Sequence, residues 1–267
     1  MHHLAPLQIA VICTLAVLGG AANSIAGGGM LLVFPALIGL GVPPITANAT
    51  STVSLWPSAI TSMWSYRGEL TGARAWGARF MITNAIGGLA GALLLLATPE
   101  QRFKALVPWL VLGATLLFAA QQPVMRWLRR EGDVVPHAPA LNVDGTLRPP
   151  PIGFLAIQFV LAVYGGYFGA GAGILMLGVL GFIGLTNIHQ MNGLKNWAAL
   201  CFNGVAIFTF VVSGVVDWPL AIVLGASAAA GGYIAAGLAQ RVPQAAVRAM
   251  VVVIGLGYVA WLATGHG

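Results

Sequence analysis

Charge is what this chain lacks most. Only 7% of its 267 residues are charged while 58% are hydrophobic, whereas an ordinary soluble domain carries about a quarter charged residues. Such a sequence cannot cover a water-soluble globule with polar surface, so the fold must take a membrane as its solvent. The acidic residues are Glu69, Glu100, Glu131, Asp133, Asp144 and Asp217, and all six lie in polar breaks between apolar segments. That excludes an intramembrane carboxylate pair. Cysteine is equally sparse: Cys13 and Cys201 stand alone within apolar segments, without metal-ligand spacing, and read as small packing residues, with no disulfide expected. There is no H-E-x-x-H, no G-x-S-x-G and no G-x-x-x-x-G-K-[ST], so intramembrane hydrolysis and ATP-driven transport lack their usual signatures. The chain reads as a non-enzyme without cofactor or metal, and secondary transport or facilitated diffusion remains.

What is present is a series of about ten apolar segments, at residues 6–22, 30–40, 45–66, 75–97, 103–121, 152–168, 174–185, 189–214, 218–239 and 245–263. Several reach the roughly 20 residues that a hydrocarbon core requires. The formal charge of +6 comes from arginines at segment ends, where they orient the chain and meet anionic lipid rather than nucleic acid. The N-terminus has no Lys or Arg ahead of its first apolar run and no convincing cleavage site, so it reads as a retained segment. Hydrophobicity falls away only around residues 122–151, PVMRWLRREGDVVPHAPALNVDGTLRPPP from Pro123 onward. Its prolines predict a loop joining two halves. The division is 1–122 as a first transmembrane repeat, 123–151 as a cytoplasmic linker and 152–267 as a second repeat.

The two halves share one stretch. Residues 26–52 read AGGGMLLVFPALIGLGVPPITANATST, and residues 169–196 read GAGAGILMLGVLGFIGLTNIHQMNGLKN. A shift of 144 positions brings Gly27 onto Gly171, Gly29 onto Gly173, Asn48 onto Asn192, Ser51 onto Lys195 and Thr52 onto Asn196. Each copy has a glycine cluster, a short apolar run and a polar patch opening a new segment. The glycines cost about 1 kcal/mol each inside a helix, so the helix should break there. The run behind them is too short to cross a bilayer alone. This predicts an all-α polytopic membrane protein of two repeats, about five hydrophobic segments each, with glycine-interrupted short or re-entrant helices meeting near the midplane. An odd number of segments per half gives the halves opposite orientation. With the central loop in the cytoplasm, this inverted arrangement also puts Arg67, Arg74, Arg241 and Arg248 inside and leaves only Arg102 and Lys104 outside beside Glu100. A broken helix crossing once per pair would instead give parallel repeats.

The motif GGGM-L-L-V-F-P followed by G-V-P-P-I-T-A-N-A-T-S, with its degenerate echo in the second half, resembles the TauE/SafE family of sulfite and organosulfonate exporters. The resemblance covers nearly the whole chain. It implies a secondary transporter that exports a small sulfur oxyanion across the bacterial cytoplasmic (inner) membrane. An anion channel, a uniporter for another small anion, or a non-transporting scaffold subunit are the alternatives, and self-association stays open.

From the residues themselves, a carrier of small anions needs donors that replace hydration. Helix N-termini preceded by glycine supply them, because free N–H groups and about half a positive charge are concentrated there. The candidates are therefore Gly27, Gly28 and Gly29 in one copy and Gly171 and Gly173 in the other; close helix packing is their competing role. Lys195 lies about 10 Å into its segment with no acidic residue in any apolar segment to pair with it, and an anion is its most economical partner, against snorkelling to an interface. Asn48, Ser51, Thr52, Asn192 and Asn196 are neutral substrate contacts or interhelical hydrogen-bond formers. His189 is a candidate proton relay or a structural histidine. Trp56 and Trp197 are candidate pocket walls.

Overall fold

The computed structural model describes residues 5–25, 27–65, 68, 70, 76–131, 149–185, 187–238 and 244–264. Among them the chain forms ten helices: α1 Pro6–Ile25, α2 Met30–Gly39, α3 Pro44–Ser65, α4 Gly77–Ala97, α5 Glu100–Glu131, α6 Ile152–Tyr167, α7 Ala172–Phe182, α8 Ile188–Val212, α9 Trp218–Leu238 and α10 Gln244–Ala263. Windows at 6–23, 77–97, 100–120 and 189–212 are long and apolar enough to cross a bilayer, and several shorter apolar helices accompany them. The result is an all-α polytopic membrane protein. Its outer faces carry Ile86, Leu93, Leu116, Phe208, Val212 and Ile222 exposed, which is where lipid tails make contact.

One boundary differs from the sequence reading. Helix α5 does not end at Gln121 but runs through Pro123 to Glu131, into the stretch predicted to be a loop. A proline inside a helix removes one hydrogen bond and costs about 3 kcal/mol, yet α2 and α3 also pass through Pro35 and Pro57. At 32 residues and about 1.5 Å per residue, α5 outruns the hydrocarbon core, so its polar last turns lie beyond it. Residues 132–148, with Arg148, and the basic residues Arg67, Arg74 and Arg241 lie outside the described residues.

Small residues set the closest packing. Gly20 of α1 faces the carbonyl of Ala228 on α9, and Gly231 of α9 faces the carbonyl of Val17 on α1, with no space for a Cβ in either place. Helices α4 and α6 meet the same way: Gly91 abuts the carbonyl of Val163, and Gly166 that of Gly88. Close backbone approach replaces the hydrophobic drive that lipid cannot supply.

Helix α3 occupies the centre, against α1, α2, α5, α8 and α9, which explains why it is too polar for a lipid-facing span. Asn48, Thr50, Ser51 and Ser54 in its first half are all buried. Two hydrogen bonds anchor its first half, and the second also shows its direction relative to α8. The Glu100 carboxylate accepts from the Ile45 amide at the start of α3 at 3.0 Å. The amide of Asp217, which follows α8, donates to Thr50 Oγ1 at 3.0 Å. Farther along, Gly204 of α8 packs on the Trp56 ring of α3. Position 50 thus meets 217 while 56 meets 204, so α3 and α8 run antiparallel.

Candidate functional site

Both glycine clusters fold into turns that stop one helix and open a short one. Gly27 (φ +81°), Gly169 (φ +81°) and Gly171 (φ +80°) adopt left-handed backbone, which costs a residue with a Cβ about 1 kcal/mol or more. Each turn is pinned. In the first, Asn23 Nδ2 donates to Ser58 Oγ at 2.8 Å. In the second, the Tyr164 hydroxyl donates to the Ala170 carbonyl at 2.6 Å and Asn48 Nδ2 to the Tyr167 carbonyl at 3.1 Å. The second turn also touches the short helix of the first half, since Phe168 meets Phe34 of α2 edge to face with ring centres 5.3 Å apart.

Helix starts leave amides without intrahelical partners. Gly27 N–H and Gly169 N–H are used within their turns, donating to Ala22 and Tyr164 carbonyls. The amides of Gly28, Gly29, Gly171 and Gly173 donate to no acceptor among the described residues. Their Cα faces divide between two roles. Gly28 lies against Phe118 and Gly29 against the Gly19 carbonyl, so packing alone forbids a side chain at both. Gly171 sits at ordinary contact distance from Ala114 of α5.

Gly27 and Gly173 face something else. A Cβ on Gly173 would stand 3.1 Å from Lys195 Cδ, and a Cβ on Gly27 would stand 3.9 Å from Lys195 Nζ. The lysine therefore leaves α8 beside the second turn and carries its ammonium to the first. It is 7% exposed, and no carboxylate or hydrogen-bond acceptor among the described residues pairs with it. A buried, unpaired ammonium costs several kcal/mol in a membrane protein, and such residues mark ion pathways. The stem lies between the starts of the two short helices.

The remaining candidates fall around this centre unequally. Thr52 Oγ1 donates to the Asn48 carbonyl at 2.9 Å and lines a cavity of about 60 Å³ together with Gly27, Asn23, Trp56, Phe168 and Asn203. Asn48 (1% exposed) and Ser51 keep Oδ1 and Oγ without a partner among the described residues. Asn196 is buried beside Lys195 on α8, and Asn192 half-buried one turn earlier. His189 is exposed in the first turn of α8, about 9 Å along the axis from Lys195, where its amide donates to the capping Asn187 side chain. Trp56 is a cavity wall as the sequence suggested, whereas Trp197 packs on Phe80 instead. Asn203 escaped the sequence reading because nothing in the other half echoes it as a polar residue; its counterpart, Ala59, lines the same cavity.

Together these features define a multi-spanning membrane protein with a buried lysine laid between two glycine turns. Residues 12–262 match the sulfite exporter TauE/SafE family, and the chain belongs to it. Members of that family are secondary transporters of sulfite- and organosulfonate-like small anions in the bacterial inner membrane, and this chain is such a transporter, not an enzyme. It is similar to the "Probable membrane transporter protein ORF9" of Sinorhizobium sp, 26% identical over 96% of this chain and 92% of the relative. A "Probable membrane transporter protein" of Haemophilus influenzae is 26% identical over 87% of this chain and 85% of its own length. "Probable membrane transporter protein YfcA" of Escherichia coli K12 is 25% identical over 94% and 88% respectively. No solved structure matches the chain.

Proposed function

We propose that this protein exports sulfite or a related sulfur oxyanion and holds it between the two glycine turns, with Lys195 as the cation and the amides of Gly28, Gly29, Gly171 and Gly173 as neutral donors. The observation that carries this reading is the course of Lys195: a buried ammonium with no partner among the described residues, laid from Gly173 in one half of the chain to Gly27 in the other. An anion there gains a charge-assisted hydrogen bond and two helix N-termini, and none of these donors is more than a short movement from release.

Two inverted repeats, residues 1–122 and 152–267, are the frame proposed for this site, with 123–151 as a cytoplasmic connection and the short helices α2 and α7 dipping in to meet near the midplane. Three features support it. The α1–α9 contact has a counterpart in α6–α4, down to the glycine–carbonyl pairs 20–228 and 231–17 against 166–88 and 91–163. Left-handed glycines recur at equivalent places around the short helices, Gly27 with Gly169 three residues before α2 and α7, and Gly41 with Gly184 two residues after them. Helices α3 and α8, which occupy corresponding positions, run antiparallel. Rocking of one half against the other would open the site to alternate sides. With no Asp or Glu in the apolar segments, a coupled proton would have to travel on the anion, on Lys195 or through His189.

Reconstituted in liposomes, the purified protein should take up labelled sulfite and show counterflow, in which unlabelled sulfite inside accelerates entry of the labelled ion. Uptake without counterflow would make the protein a channel. Correctly folded protein with no uptake in either direction would leave a scaffold role.

A further inference from the structure

The cavity next to the ammonium is small, and its size bears on which anion the site takes. It opens on Gly27, the residue whose free side faces Lys195 Nζ, and it holds about 60 Å³. One water needs roughly 15 Å³ counted this way, so the space suits about four waters, close to one compact oxyanion. Its polar contributions come from Asn23, Thr52 and Asn203 and its rigid walls from Trp56 and Phe168. Phe168 cannot swing aside cheaply, since it is 1% exposed and braced edge to face by Phe34, and Trp56 stands opposite Gly204 of α8. Asn23 is tied to Ser58, leaving Asn203 as the side chain amide with no hydrogen bond among the described residues.

We propose that this cavity restricts the protein to compact inorganic oxyanions such as sulfite and excludes organosulfonates with a carbon tail, with Trp56 as the residue that sets the size limit and Asn203 as a neutral donor to the anion. The proposal rests on the Lys195 site described above. An aminoethyl sulfonate has the same charged head as a compact oxyanion but adds an ethylene chain and an amine, more than a cavity of about 60 Å³ holds. Each methylene that a rigid pocket must reject is worth roughly 10- to 200-fold in discrimination. The amine adds a second conflict, because it would enter beside an ammonium.

The test is a change of preference, not a loss. Sulfite and 2-aminoethanesulfonate are titrated calorimetrically into purified wild type, Trp56→Leu, Ala59→Leu and Lys195→Met, each first shown to be monodisperse. Wild type should bind sulfite at least about tenfold more tightly than the sulfonate. Trp56→Leu should narrow that ratio by about tenfold through a gain in sulfonate affinity, and Ala59→Leu, which fills the cavity, should weaken both. Should Trp56→Leu not fold, Met30→Ala enlarges the same cavity from α2. Equal affinities in wild type, or an unchanged ratio in the enlarged variant while Lys195→Met still abolishes sulfite binding, overturn the size limit alone. Unchanged sulfite affinity in Lys195→Met overturns the site itself and the size limit with it.

Discussion

Replacing Lys195 by Met removes one ammonium and keeps most of an apolar stem of similar length. In the structure no charged partner is lost, because no carboxylate pairs with Lys195 among the described residues, and its stem lies against Gly173, where a methionine side chain can take its place. Folding should therefore be unaffected or slightly favoured, since an unpaired charge is replaced by a group that needs no hydration. Binding should respond strongly. A hydrogen bond to a charged partner contributes about 1.5–3 kcal/mol, which corresponds to roughly a 10- to 150-fold loss of sulfite affinity. The dependence on pH has a definite sign. Only the ammonium attracts the anion, so wild-type affinity, expressed relative to Lys195→Met so that titration of sulfite itself cancels, should fall as pH rises through the titration of the amine. Calorimetry of protein in nanodiscs across the pH range reads both quantities. A variant that binds sulfite as wild type does at every pH would refute the reasoning, because neutral donors alone would then hold the anion.

Other substitutions separate the roles of individual residues. Gly173→Ala places a methyl 3.1 Å from Lys195 Cδ; the flexible stem yields, so melting should shift by less than about 1 kcal/mol while sulfite affinity falls several-fold. Gly231→Ala drives a methyl into the Val17 carbonyl, which cannot yield without separating α1 from α9, and should cost about 3 kcal/mol or more, read as early melting. Glu100→Gln replaces the charged acceptor of the Ile45 amide and should lower stability by about 1 kcal/mol with sulfite affinity unchanged. Single cysteines in the Glu100 and Asp217 loops should react with an impermeant reagent in intact cells, and one in the stretch 132–148 should not; the reverse labelling would contradict the proposed orientation.

The positions of the helices were legible because each depends on one quantity, an uninterrupted apolar run, which the membrane requires in every segment. The glycine breaks were legible for a similar reason: Gly27 and Gly171 need left-handed backbone that few residues accept. Lys195 stood out as a cation without a partner. What the sequence could not convey is where side chains end. That the lysine reaches Gly27 depends on how α8 is rotated against α2 and α7, and rotation follows from packing contacts spread over the whole chain. Asn203 was invisible for this reason, one amide in the mostly apolar second half of α8. The extension of α5 past Pro123 was misread because polar residues beyond the bilayer look the same in a helix and in a loop. The glycines carried two readings, which the sequence alone could not separate: Gly28 and Gly29 leave no room for a side chain at their Cα faces, whereas Gly27 and Gly173 look onto the lysine.

The central claim is that one anion sits where the two glycine turns and Lys195 meet. Selenite has the shape and charge of sulfite and carries an anomalous scatterer, so crystals grown with it report the position of the ion directly. The account predicts one selenium peak about 3–4 Å from Lys195 Nζ, beside the cavity of Gly27, Trp56 and Asn203, and its absence in Lys195→Met. A peak at another place in the protein, or the same peak with equal occupancy in the variant, would contradict it.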